Sequence, residues 1–448
     1  MTSFSMQPED MLQLLITTCQ KAGASAADAR FVSGEGVSVK VRDGKLETIG
    51  RDEESSISLR CLYGKRQASV SSAALDVDSL KALAQRCSKM AEIAPEDPYC
   101  GIVSPEALAK DIPAFDLTGD EDATPEQLEA EALEAEAAAL SKSGIQQISS
   151  CGAGWNRGRR WVAASNGFTA YKEGGGSSVG LAAVAEKDGA METDSASRYS
   201  RRREDRLSPA EIGVLAAERT LARLNPTKVE SQTASVIFDK RVSSSLLNAF
   251  IGAISGPAIA RGVSFLKDKL GESVFAEGVN IYDDPFRPRG LGTRGHDGEG
   301  LAVSKKALID NGTLTNWLLN SSAARQLGLE ANGFSGTSFG DPPGISTSNV
   351  YMDAGTQTPG ELMAASGKGL VVTSMFGPSI NPNSGDYSVG VSGMWYENGA
   401  PAYPVSEVTI AGDLLSMFAR LIPASDLEFL GSRDAPSLLI EGMKIAGS

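Results

Sequence analysis

The sequence predicts an α+β fold, in which an antiparallel sheet flanked by helices is followed by a strand-rich C-terminal half. Three observations predict it. In the first half, apolar residues at helical spacing alternate with stretches of period two. Three helix starts share one capping pattern. The 48 glycines, many of them beside Asn, Asp or Ser, favour turns and strands over a helical bundle.

The first helix opens at Pro8, with Glu9 and Asp10 in its first turn and Met11, Leu12, Leu14, Leu15 and Cys19 on its apolar face. Val37, Val39 and Val41 then alternate with polar residues, and Asp43-Gly44 marks a hairpin turn. Ile57, Leu59 and Cys61 continue as a strand that turns at Tyr63-Gly64-Lys65, and helical spacing returns over 78–94. Thr124-Pro125-Glu126-Gln127, Ser208-Pro209-Ala210-Glu211 and Thr358-Pro359-Gly360-Glu361 each fit a capping box with Pro at the first helical position. Residues 147–185 alternate as strands around a Ser165-Asn166-Gly167 turn. Beyond the polar stretch 225–232 come a strand at 235–238 and a helix rich in small residues over 242–259. Strand-like pieces and turns dominate after Gly278. These breaks divide the chain into an N-terminal α+β domain, 1–228, which includes a middle region at 120–228, and a β-rich C-terminal domain, 229–448.

A chain of 448 residues is long enough for two or three domains. Its net charge of -14 opposes direct nucleic-acid binding. Arg201-Arg202-Arg203 is a basic exception, but Glu204 and Asp205 follow it, which predicts a solvated loop. Cys19, Cys61, Cys87, Cys100 and Cys151 lack metal-site or disulfide spacing and read as reduced thiols of a cytoplasmic protein. The amphipathic N-terminus lacks a signal-peptide pattern, and no apolar run is long enough to span a membrane.

Candidate chemistry is sparse. The only histidine, His296, lies in a Gly-rich loop, and no nucleophile elbow accompanies it. Asp283, Asp284, Asp297 and Glu299 could form an oxygen-ligand cluster, but acidic residues beside Gly and Pro are more often turn residues. The glycines of 385–393 make no phosphate loop, because no Lys-Ser/Thr follows and the flanks are strand-like. A glycine-spaced strand suits close backbone approach; an ordinary strand crossing is its commoner cause, and Asp386, Tyr387, Ser388, Val389 and Gly390 are a candidate peptide-groove strand beside that reading.

Several sequence blocks follow one another in a distinctive order. They begin with Val39-Lys40-Val41-Arg42-Asp43-Gly44-Lys45 and Ser165-Asn166-Gly167. Asp283-Asp284-Pro285, Asp297-Gly298-Glu299-Gly300 and Leu308-Ile309-Asp310-Asn311-Gly312 follow. Ser384-Gly385-Asp386-Tyr387-Ser388, Tyr403-Pro404-Val405-Ser406-Glu407 and Thr409-Ile410-Ala411-Gly412-Asp413-Leu414 complete the order. Together these blocks resemble the TldD/PmbA family, in particular its PmbA (TldE) branch. The resemblance implies a C-terminal domain of curved, mainly antiparallel sheets. It also implies a site: TldD-like members carry His-Glu-x-x-x-His on a helix and a downstream Cys, which bind zinc, with the Glu as general base. The corresponding helix here, 249–261, contains no His, Glu or Cys, and the strand 384–393 contains no Cys. Ser255, Gly256, Pro257, Ala260 and Arg261 mark this degenerate metal-helix region, and no catalytic or metal residue carries over.

The resemblance therefore implies a non-catalytic PmbA/TldE-type subunit with no cofactor of its own. Zinc belongs in a TldD-like metallopeptidase partner, the substrate is an unfolded peptide, and the isolated chain is expected to pair with itself. A stand-alone peptide-binding module or homodimeric scaffold is the alternative from another class, and an autonomous carboxylate-based hydrolase is a third. The family label "modulator of DNA gyrase" finds no support in so acidic a chain.

Overall fold

Two helix pairs and one long sheet make up the first half of the protein. The computed structural model describes residues 6–110, 112–120, 122–336 and 340–447. Helices α1 (Pro8–Lys21) and α2 (Val77–Ile93) flank strands β1 (Ala26–Arg42), β2 (Lys45–Tyr63) and β3 (Arg66–Ser72). Helices α3 (Pro125–Leu140) and α4 (Pro209–Leu221) flank β4 (Ile145–Ala164), β5 (Thr169–Lys187) and β6 (Ala190–Ser200). All six strands form one antiparallel sheet in the order β3-β2-β1-β4-β5-β6. The middle region therefore shares its sheet with the N-terminal region.

Period two fixes which face of this sheet each helix pair covers. On one face, Ala27, Ala29 and Phe31 of β1 pack with Met11, Leu15, Leu80 and Leu83 of α1 and α2. Further along the same face, Val39 and Val41 join Cys151, Val179 and Leu181 beneath Leu128, Ala132, Ile212 and Ala216 of α3 and α4. The opposite face, which carries Arg30 and Val32 of β1, turns toward the C-terminal half. The Asp43-Gly44 turn forms as its sequence requires, with φ of 53° and 69°. Its two N–H groups donate to the buried Glu136 carboxylate at 3.0 and 2.8 Å. All three capping boxes are present.

The second half begins with β7 (Gln232–Phe238), α5 (Lys240–Ala253) and α6 (Gly256–Ala260). Next come β8 (Ile281–Asp283), β9 (Lys306–Asp310), β10 (Thr313–Leu314), α7 (Ser321–Leu327), β11 (Val350–Met352) and α8 (Pro359–Ser366). Three longer strands follow, β12 (Gly369–Ile380), β13 (Asp386–Glu397) and β14 (Ala400–Asp413). The chain finishes with α9 (Leu414–Phe418), β15 (Ile422–Pro423), β16 (Arg433–Asp434) and β17 (Leu438–Ala446). The order β14-β13-β12-β7-β17 closes into a barrel because β14 also pairs with β17. Its ladders are antiparallel except for β7 with β12. A second sheet runs β10-β9-β8-β11-β16. One core joins Phe238, Val389, Val391 and Ile410 of the barrel to Leu246, Leu247 and Phe250 of α5.

Two expectations need correction. The helix expected over 242–259 breaks at Ile254–Ser255. Pro257 has no N–H to give and its ring would clash with the carbonyl one turn back, so α5 cannot run through it. Arg201 is no solvated loop residue but is 7% exposed. Its guanidinium donates to the carbonyls of Leu117, Gly175, Gly290 and Leu291, tying the long sheet to the C-terminal half. Arg202 and Arg203 pair with Asp116, Asp120 and Glu131. The polar stretch 225–232 is also held down, since Thr227 N–H donates to Pro404 O at 2.8 Å. All five cysteines are free and buried. Among the described residues, no helix is long and apolar enough to cross a membrane.

Candidate functional site

The α5–α6 break lies against the segment that leads into α7. Gly256 N–H donates to Leu318 O at 2.8 Å, and Leu318 N–H returns a bond to Ile254 O at 3.0 Å. A Cβ on Gly256 would sit 2.7 Å from Leu318 O and 2.9 Å from Ala323 Cβ, so no side chain fits there. The buried Ser264 hydroxyl donates to Ala253 O and satisfies one end carbonyl of α5. Pro257 and Arg261 border a cleft of about 320 Å³ that also meets Arg60, Asp97, Asn320 and Ser321. Ser255 and Ala260 are half-buried beside it in sequence. Neither α5 nor α6 carries a His, Cys, Asp or Glu, so this donor set does not fit a zinc ion.

The strand-borne candidates lie elsewhere. Asp386, Tyr387, Ser388, Val389 and Gly390 open β13, which runs inside the barrel wall. Tyr387, Ser388 and Gly390 pair with β12, and all five residues pair with β14. Tyr387 and Val389 point into the core, and burial raises the Tyr387 phenol above its usual range. The close approach at Gly390 is made by the Phe376 ring. Strand addition needs an open ladder, and over these residues β13 is flanked by β14 along its whole length and by β12 at Tyr387, Ser388 and Gly390.

Each acidic candidate braces a separate stretch of backbone. Asp297 Oδ1 accepts from Glu299 N and Leu301 N at 2.9 and 3.0 Å, and Oδ2 accepts from Ser335 N at 3.0 Å. Burial and the nearby Glu299 charge push its pKa up to about 6 against those three bonds. Asp283 Oδ1 accepts from Ser348 N at 2.6 Å, and burial raises its pKa too. Asp284 caps Phe286 N, and Glu299 binds the backbone N–H and hydroxyl of Ser321. Among the described residues, no three His, Cys, Asp or Glu side chains are grouped to hold a metal ion.

His296 sits in its loop with Nδ1 2.6 Å from the Asp297 backbone oxygen and its ring edge-on to Phe168. That contact is to a carbonyl, so no carboxylate orients the ring as a triad would require. Burial lowers its pKa, as do Lys172, Arg294 and Arg160. These neighbours reveal a feature that sequence reasoning missed. A cleft of about 400 Å³ opens between the uncovered face of the long sheet and the His296 loop. Arg160 of β4 and Lys172 of β5 lie directly opposite each other in it. Both also border an adjoining cleft of about 560 Å³ that reaches Arg30 and Arg201. The sequence signal was faint: even positions in β4 and β5 read Asn156, Gly158, Arg160 and Ala170, Lys172, Gly174, two long cations set among small residues.

A long curled sheet joined to a closed barrel is an architecture already known in solved structures. A Bacteroides thetaiotaomicron protein described as a candidate modulator of DNA gyrase superposes with a TM-score of 0.90 at 24% identity, covering 98% of this chain and 99% of that one. TldE from Thermococcus kodakarensis superposes with a TM-score of 0.85 at 20% identity, covering 98% and 100%. Sequence models of the PmbA/TldA metallopeptidase match as domain 1 at residues 27–91, the central domain at 119–224 and the C-terminal domain at 231–447. Metalloprotease PmbA of Escherichia coli O157:H7 is 32% identical over 447 residues, covering 98% of this chain and 96% of the relative. A PmbA homolog from Haemophilus influenzae is 30% identical over 432 residues, covering 96% and 93%. The chain belongs to the PmbA/TldD family of metallopeptidases.

Proposed function

We propose that this chain is the non-catalytic, PmbA/TldE-type subunit of a heterodimeric metallopeptidase that degrades or trims unfolded peptides. A TldD-like partner holds the zinc and performs hydrolysis. This chain completes the chamber and helps to hold the peptide. One observation carries the reading: α5 and α6, where the family resemblance places the metal helix, contain no donor, and Gly256 leaves no room for one. The 32% identity to metalloprotease PmbA of Escherichia coli O157:H7 over nearly the whole chain supports the choice of branch. Five buried free thiols suit a reducing cytoplasm.

The test mixes the purified chain with a TldD-like partner and an unfolded peptide. Cleavage by the mixture, abolished by a chelator and absent from the chain alone, is the expected result. Chelator-resistant cleavage that tracks with the purity of the isolated chain overturns it. The scaffold reading differs in one respect: native extract would then yield the chain paired with itself and free of any TldD-like protein.

A further inference from the structure

The cleft between the long sheet and the His296 loop has an electrostatic character that the fold alone does not require. Arg160 and Lys172 face each other across adjacent strands on the same side of the sheet. Like charges placed directly opposite in a sheet repel, and the repulsion grows where protein displaces water. Arg30 lies diagonally beside Arg160 through the β1–β4 register. This concentration of positive charge stands out in a chain of net charge -14.

The surrounding cations differ in how they are engaged. Arg201 is committed to four backbone carbonyls. Arg294 donates to Ser348 Oγ, Gly333 O and Ser346 O. Arg30 pairs with the buried Asp28. Lys172 Nζ donates to Thr293 O at 2.7 Å, which uses one of its three N–H groups. The carboxylates nearby are occupied as well, Asp297 by three backbone N–H groups and Glu173 by Arg159. Burial among like charges lowers the Lys172 pKa to about 8. On the other wall, Ile112 and Phe115 lie over Gly295 and give the cleft an apolar flank.

We propose that this cleft binds the C-terminal carboxylate of a peptide, with Lys172 and Arg160 holding the carboxylate and Ile112 and Phe115 receiving an apolar last side chain. One compact cationic pair beside an apolar wall matches a single monoanion on an apolar residue better than a polyphosphate. The inference rests on the peptide-holding reading and names the end of the peptide that this subunit takes.

Fluorescence anisotropy tests it with an N-terminally labelled, alanine-rich peptide ending in phenylalanine, made as the free acid and as the C-terminal amide. Both are titrated with the full chain, alone and with a TldD-like partner. The free acid is expected to bind about tenfold or more tighter than the amide. Lys172→Met should abolish that preference, and Lys172→Arg should retain it. Equal affinity for acid and amide overturns the carboxylate site and leaves the peptide-holding reading standing. A Lys172-dependent response to inorganic phosphate with no acid-over-amide preference also overturns it. Failure of both peptides to bind, even with the partner present, overturns the inference and the reading together.

Discussion

The α5–α6 junction and the cleft beneath the His296 loop are built on opposite principles. The junction is closed: Gly256 is pressed against Leu318 and Ala323, and Phe250 is fully buried against Phe275 and Phe418. The cleft is open and charged, with Arg160 exposed on its floor and Lys172 half-buried beside it. A packed, donor-free junction contributes to the stability of the barrel. Opposed cations cost stability, and a protein retains such a cost most readily where a ligand relieves it. The difference is what the proposed role in peptide recognition rests on: the α5–α6 helices have no donor for a metal, and the cleft has charge to offer a ligand.

Substitutions should separate the two regions. Phe250→Ala removes a ring from the core behind α5 and is expected to cost about 3–5 kcal/mol in denaturant unfolding. Arg201→Met leaves buried carbonyls of both halves without a donor and should cost about 3 kcal/mol. It should also loosen the sheet from the C-terminal half, seen as faster hydrogen exchange around Gly290 and Leu291. Gly256→Ala forces a methyl against Leu318 O and should cost about 1–3 kcal/mol. A near-neutral result there would show that the junction has room to spare.

Lys172→Met should act in the opposite direction, stabilising the free protein by about 1 kcal/mol at neutral pH once water in the cleft is allowed for. The sign follows from linkage. The folded-state pKa, about 8, lies below the unfolded value, so the fold disfavours the proton. Wild-type stability should therefore rise between about pH 8 and pH 10.4, and the advantage of the Met variant should be full below that window and lost above it. Unfolding of both proteins across that range checks it.

Local rules made much of the fold legible. The three capping boxes and the Asp43-Gly44 turn depend on residues within a few positions of one another, and all formed as read. Strand lengths were harder to read. β1 runs from Ala26 to Arg42 as one strand, but its covered face passes from one helix pair to another, which interrupts the apolar pattern around Ser33–Glu35. Pro257 already held the signal that breaks α5 from α6, but the apolar spacing around it masked that signal. Arg201 looked solvated because its acidic neighbours are, while its own partners are carbonyls remote in sequence. Glycine spacing cannot tell a ligand from the Phe376 ring, so in β13 it left a groove open beside the commoner strand crossing. The cleft was least legible of all: Arg160 and Lys172 become neighbours only through the β4–β5 register.

Zinc content measures the central claim most directly. The chain and a TldD-like partner would be purified separately and as a complex, then assayed for metal by elemental analysis. The account predicts no bound zinc in the isolated chain and one zinc per heterodimer, carried entirely by the partner. One zinc per isolated chain, lost on Asp297→Ala, would contradict it and assign the catalytic site to this subunit.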